Sequence, residues 1–238
     1  MEIIYPVCDI CKQKSIKMYF CGDWGTDEKE LCRHGKKKSY KRRSLDINTY
    51  FNHAVENLGL TTYPDLIKGV RGTSNKDHMV EHIAKGVLRA KHNIFVNKDG
   101  TTRYDMTELP ITHFRPKDIK TSLSRLRELG YVNDVFGKEL ENSNQIIEIK
   151  PQDIILPLNE NSLDESSKKV IFRIAQFIDE LLEKFYGQKR YYNLGKEDDI
   201  IGHLVVGLAP HISAGLIGRV IGFSDTQGCF AHPLWHAG

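Results

Sequence analysis

The chain has 238 residues, 40% of them hydrophobic, and a formal net charge of +3. That length holds one large domain or two to three small ones, and the apolar fraction excludes a disordered tail. A charge so close to zero gives no global basic field, so any nucleic-acid contact has to come from local clusters. No apolar run reaches the roughly 18 residues that span a bilayer; the longest, Ile200 to Leu208, is broken by Gly202 and His203. With no signal-like pattern at the N-terminus, the expectation is a cytoplasmic protein with no membrane partner.

Four of the five cysteines, Cys8, Cys11, Cys21 and Cys32, lie in the first 32 residues. A Cys-x2-Cys turn presents two thiolates from one knuckle, and two further soft ligands complete a zinc tetrahedron. These four are therefore the expected ligands of a structural zinc ion, with His34 as an alternative to Cys32. A segment this short has little core, so a metal would supply folding energy. The other reading is four reduced cysteines acting as small hydrophobes. Next comes a basic run, Lys36, Lys37, Lys38, Lys41, Arg42 and Arg43. Such a run neutralises phosphates and gives sequence-independent nucleic-acid affinity; alternatively, it is a solvated loop.

Residues 46–60 have helical spacing, with Tyr50, Phe51, Ala54, Val55 and Leu58 on one side, Asp46 as N-cap and Gly59 as the stop. His92 to Met106 reads as a β-hairpin, its Lys98-Asp99-Gly100 turn set between Ile94–Val96 and Thr102–Tyr104. Lys117 to Leu129 reads as one amphipathic helix closed by Gly130. Short strands are expected at Ile146–Ile149 and Ile154–Leu156, the latter ending at Pro157, followed by a polar linker over 158–168. Lys169 to Tyr186 is the strongest helix, with an apolar stripe of Val170, Ile174, Phe177, Ile178, Leu181, Leu182 and Phe185 before Gly187. Beyond residue 200 we expect a buried strand at Leu204–Leu208, a tightly packed helix at Ser213–Ile221 and a strand from Phe230. Gly207, Gly215, Gly218 and Gly222 do not follow phosphate-loop spacing, so they are read as permitting close packing.

The stretch DIIGHLVVGLAPHISAGLIGRVIGFSDTQGCFAHPLWHAG at 199–238 closely resembles the large subunit of the archaeal family D DNA polymerase. So do FIDELLEKFY at 177–186, KGVLRAKHNIFVNKDGTTRYD at 85–105, LPITHFRP at 109–116, LRELGY at 126–131 and ELENSNQIIEIKPQDIILP at 139–157, in the family's order. The resemblance implies a fragment of a much longer subunit. It implies a catalytic core of double-psi β-barrels whose metal-binding aspartates, in an Asp-Gly-Asp motif, follow the segment equivalent to AHPLWHAG. Two-metal nucleotidyl transfer needs carboxylates that hold magnesium ions about 3.5–4 Å apart, so the fragment alone is expected to be inactive. Arg219, His232 and His236 would lie near the active site, and no catalytic residue is assigned within the chain. His203 and His211 are weaker candidates for the same neighbourhood, and the adjacent Asp198 and Asp199 would, in a strand, face opposite ways. The family usually has two Cys-x2-Cys pairs; here the second is stretched, which leaves Cys32 the weakest ligand.

The expected fold is α+β: a zinc-ribbon-like module with a basic tail at 1–45, a mixed α/β DNA-contacting region at 46–157, and a helix with part of a double-psi β-barrel at 158–238. The expected function is that of a DNA-directed DNA polymerase large-subunit fragment, with magnesium in the intact enzyme. Its partners would be a DNA primer–template, a small exonuclease subunit and a sliding clamp. The alternative is a stand-alone zinc-dependent nucleic-acid-binding module without catalysis.

Overall fold

A computed structural model describes residues 2–8, 38–44, 46–67, 81–97, 101–160, 163, 165–208 and 215–235, the first two stretches as backbone only. The chain divides into two compact units, Met1–Arg103 with Glu180–Lys189, and Tyr104–Asp179 with Arg190–Gly238.

In the first unit, β1 (Glu2–Cys8) pairs antiparallel with β2 (Lys38–Ser44), setting Cys8 opposite Lys38. Helix α1 (Ile47–Asn57) starts as expected: the Asp46 carboxylate accepts from the Asn48 amide at 3.2 Å and from the Thr49 hydroxyl at 2.7 Å. It stops at Gly59, whose φ of +61° suits a residue without a Cβ. Of the expected stripe, Ala54 and Leu58 are buried, Phe51 and Val55 are half-buried, and Tyr50 is exposed. Helix α2 (Ile83–Lys91) packs against α1 and buries Ala84, Val87 and Leu88. The sequence carries no common start signal for this helix, because His82, whose Nδ1 accepts from the Ala84 amide, is an uncommon cap.

The hairpin expected over His92–Met106 is corrected. The Asn97 amide donates to the Thr101 carbonyl at 2.8 Å and the Thr102 hydroxyl to the Phe95 carbonyl at 3.3 Å, yet neither arm is a strand. Phe95 is exposed while Ile94 and Val96 are only half-buried, and a lone two-stranded ribbon is barely stable in water. Its turn, 98–100, lies outside the described residues.

Also in this unit, Glu180 precedes a π-helical turn, Leu181–Phe185, and faces Lys91 at 2.5 Å, His92 at 3.0 Å and Lys184 at 3.6 Å. Burial opposes its ionisation, but hydrogen bonds from Lys91 and His92 and the charges of Lys91 and Lys184 outweigh that and hold its carboxyl down at about 2. A carboxylate depressed in the folded state adds stability above its unfolded pKa and loses it as pH falls through the folded one. Wild type should therefore lose stability between about pH 5 and pH 2 more steeply than Glu180→Gln. Urea midpoints across that range test this, and parallel curves would refute it.

The second unit is a mixed α+β structure around a five-stranded sheet. Its strands are β3 (Thr107–Pro110), β6 (Asp153–Pro157), β7 (Leu204–Gly207), β8 (Leu216–Ser224) and β9 (Gly228–Ala231). A small antiparallel pair, β4 (His113–Phe114) with β5 (Ile147–Glu148), stands beside it. The sheet order is β3-β9-β6-β8-β7, with β3∥β9 and β6∥β8 parallel and β6–β9 and β7–β8 antiparallel. Central β6 is buried along its whole length, and Leu126, Leu140, Ile154, Ile155, Val220, Ile221 and Phe223 form the middle of the core.

Four expectations change here. The single helix at Lys117–Leu129 is a 3₁₀ turn, Pro116–Ile119, then α3 (Leu123–Glu128), with Lys120 at φ +52° and Ser122 capping the Arg125 amide between them. The interruption lets the buried Thr121 hydroxyl donate toward the Ile221 and Ile119 carbonyls, and Gly130, at φ +90°, still ends the segment. The helix expected at Ser213–Ile221 is strand β8 where it is described. Its Val220 and Ile221 fill the sheet core, and at Gly222 a Cβ would sit 2.6 Å from the Ile119 carbonyl oxygen. Strand β7 is not buried but is the sheet edge, with Leu204 63% and Val206 73% exposed while Val205 packs inward. Last, α4 (Ser167–Glu180) runs into the π turn and stops at Gly187, φ +62°, much as expected. Its apolar stripe, however, is only half-buried, and Ser167, Ala175 and Asp179 are the fully buried residues. No helix among the described residues is long and apolar enough to cross a membrane.

Candidate functional site

Asp153 opens β6, and the pairing of β6 with β8 places it directly opposite Arg219. Strand packing leaves Asp153 only 2% exposed, and a carboxylate that deep has to be fully hydrogen-bonded. Arg219 donates from Nε at 2.8 Å and from Nη2 at 2.7 Å, a bidentate fork. Tyr131, which follows the Gly130 turn, donates its hydroxyl to Asp153 Oδ2 at 2.5 Å. Burial first, and then this bond to a carboxylate, push the phenol well above its ordinary range, so Tyr131 stays neutral. The Asp153 pairing raises Arg219 further still.

Lys150 supports the phenol from outside. Its amide donates to the Tyr131 oxygen at 3.2 Å, its ammonium lies 4.7 Å from the ring centre, and it donates to the Leu129 and Gly130 carbonyls. Phe114 packs against the same ring in an edge-to-face arrangement at 5.5 Å. The Arg219 side chain is 27% exposed at the rim. The arrangement fixes a cation at the sheet surface, while the carboxylate behind it is already committed to the fork and the phenol.

The other expected site residues are dispersed. His232 holds a turn: its Nδ1 accepts from the Leu234 amide at 3.0 Å and its carbonyl accepts from Trp235 at 2.8 Å. His203 packs edge-on against Tyr192 at 5.6 Å. Asp198 and Asp199 lie not in a strand but in a 3₁₀ turn, Glu197–Ile200. Asp198 pairs with Lys168 at 2.5 Å, and the amides of Lys196 and Gly195 hold the Asp199 carboxyl below its usual range. Cys229, the cysteine outside the N-terminal cluster, is buried, and burial pushes its thiol up to about 12. The Trp235 ring occupies the space a Cβ on Gly207 would need, 2.2 Å away, as close packing at the glycines requires.

Among the proposed zinc ligands, Cys8 ends β1; Cys11, Cys21, Cys32 and the alternative His34 lie outside the described residues. Lys38, Lys41, Arg42 and Arg43 lie on β2, whereas Lys36, Lys37, His211 and His236 lie outside the described residues. No group of three or more His, Cys, Asp or Glu among the described residues is placed to hold a metal.

Sequence reasoning did not find Tyr131, Lys150, Asp153 or Asp179. A signal existed for two of them: Asp153 is an acid at the head of an apolar strand, and Asp179 an acid within an apolar helix stripe. Either pattern marks a carboxylate that must be paired when buried.

The family model for the "DNA polymerase II large subunit DP2, catalytic domain" matches residues 60–238. The chain is 48% identical to the DNA polymerase II large subunit of Pyrococcus furiosus, over 99% of this chain and 19% of that protein. It is 45% identical to that of Archaeoglobus fulgidus, over 99% of the chain and 20% of the relative. Against that of Nanoarchaeum equitans the identity is 42%, over 99% of the chain and 22% of the relative. The chain thus spans about a fifth of the length of the curated relatives it matches.

Proposed function

The chain belongs to the DNA polymerase II large-subunit family, and on that premise we propose that it forms part of a DNA-directed DNA polymerase that extends a primer on a template by two-metal nucleotidyl transfer. The observation that carries this is the match itself, 42–48% identity along nearly the whole chain, in one order. Identity of that extent disfavours an unrelated stand-alone zinc-binding module.

In this reading the second unit is one part of a double-psi β-barrel core, supported by its mixed five-stranded sheet. Arg219, held at the sheet rim by Asp153, faces the phosphates of DNA or of the incoming nucleotide. Among the described residues no group of carboxylates is placed to hold magnesium; Asp153 is engaged by Arg219 and Tyr131, and Asp199 by backbone amides. Cys8, Cys11, Cys21 and Cys32 hold a structural zinc, and the basic run beside them tracks the DNA backbone; the register of Cys8 with Lys38 supports that proximity. A small exonuclease subunit and a sliding clamp complete the assembly.

A chimera tests the reading. The matching segment of the Pyrococcus furiosus large subunit is replaced by this chain, and the product is assembled with its small subunit. Primer extension with magnesium and deoxynucleotides should remain within about tenfold of the parent, a barrier change near 1.4 kcal/mol. A chimera that assembles but does not extend overturns the proposal.

A further inference from the structure

The sequence Lys189-Arg190-Tyr191-Tyr192-Asn193 places cations beside two aromatic residues. In the second unit the fold locks the Arg190–Asn193 part of it rigidly. Asp179 of α4, only 4% exposed, accepts from the Tyr191 and Tyr192 amides at 2.9 Å each through Oδ1 and from the Asn193 amide at 2.8 Å through Oδ2. Three successive amides turned toward one anion form a nest, and here the anion is the protein's own carboxylate. Asn193 closes the turn with φ +51° and a side-chain bond to the Arg190 carbonyl at 3.3 Å.

What this anchor presents is unusual. Tyr191 is 73% exposed, and its ring stands edge-on against Tyr192 at 4.9 Å. Tyr192 in turn stands edge-on against His203, the residue before β7. Rings braced in series keep one broad face in water at little further entropy cost, because tyrosine has only two side-chain torsions. A loop anchored merely for stability has no use for a fixed, exposed aromatic face beside an arginine. A base stacks on such a face whatever its identity, and the cation meets the phosphate next to it.

We propose that the Arg190–Asn193 loop is a stacking platform for single-stranded DNA, with Tyr191 carrying a base and Arg190 its phosphate. This rests on the polymerase reading above, which supplies unpaired template as the ligand.

Fluorescence anisotropy of labelled oligothymidylate with the 238-residue chain tests it. Tyr191→Ala should weaken binding about fivefold or more, given what base–aromatic stacking contributes. Tyr191→Phe should bind like wild type, because the hydroxyl takes no part. Arg190→Ala should flatten the dependence of affinity on salt by about one phosphate contact. Should Tyr191→Ala fold poorly, photocrosslinking of wild type to an oligonucleotide carrying 5-iododeoxyuridine gives the same answer, with Tyr191 as the modified residue. Unchanged affinity in Tyr191→Ala, equal loss in the alanine and phenylalanine variants, crosslinks only elsewhere, or a wild type that binds no oligothymidylate each overturn the platform. If Tyr191→Ala weakens only assembly with the small subunit, the loop is a protein contact and the platform also falls. The chimera's primer extension is judged separately, so the polymerase reading can stand while this inference fails.

Discussion

Asp153→Ala should be among the most destabilising single changes in the second unit, costing about 3–5 kcal/mol, the range for removing one partner of a buried ion pair. Most of that cost lies in the groups the substitution leaves without a partner. The Arg219 guanidinium would keep its charge at a site built around a carboxylate, and the buried Tyr131 hydroxyl would have no acceptor. Asp153→Asn, which keeps an oxygen for Tyr131, should cost less than alanine. For a chain of this size the alanine variant should melt roughly 6–20 °C lower. Thermal or urea unfolding checks this, and a loss below about 1 kcal/mol would show that the network does not clamp β6 to β8.

Phe223→Ala should cost a comparable amount, about 3–5 kcal/mol, because the ring is fully buried and its removal leaves a cavity that the surrounding sheet cannot close. Part of the loss is electrostatic: the Lys168 ammonium lies 5.2 Å from the ring centre, while the same ammonium pairs with Asp198. Phe223→Leu should recover most of the stability. Leu163→Ala, at a fully exposed position, should stay within about 0.5 kcal/mol and serves as the control. Equal unfolding midpoints for Phe223→Ala and Leu163→Ala would refute the placement of β8 in the core.

The two predictions sit on a residue that sequence reasoning passed over and on a segment that it misassigned in part, and the cause is the same. Asp153 meets Tyr131 across 22 positions and Arg219 across 66. No local window contains those partners. The glycine-spaced run before Phe223 has a composition that suits a tight helix as well as a strand. What decides for the strand is pairing with β6 on one side and β7 on the other, and that exists only once distant segments have met.

By itself the sequence determined the punctuation and the kinship. Asp46 starts a helix because its short carboxylate reaches orphan amides one turn on, and Gly59, Gly130 and Gly187 end segments because they adopt positive φ without strain. These are local energies, set within a few residues. The family was equally legible, since six collinear stretches resemble it and its catalytic-domain model matches residues 60–238. The tertiary structure alone decided which apolar runs are core and which are edge, and which acids are committed. Leu204 and Val206 read as buried until the sheet order left β7 outermost. Asp179 read as one acid in a helix until three amides of the Tyr191 turn closed on it. Burial and charge pairing are sums over neighbours brought together by the fold, so they stay undetermined until the chain has closed on itself.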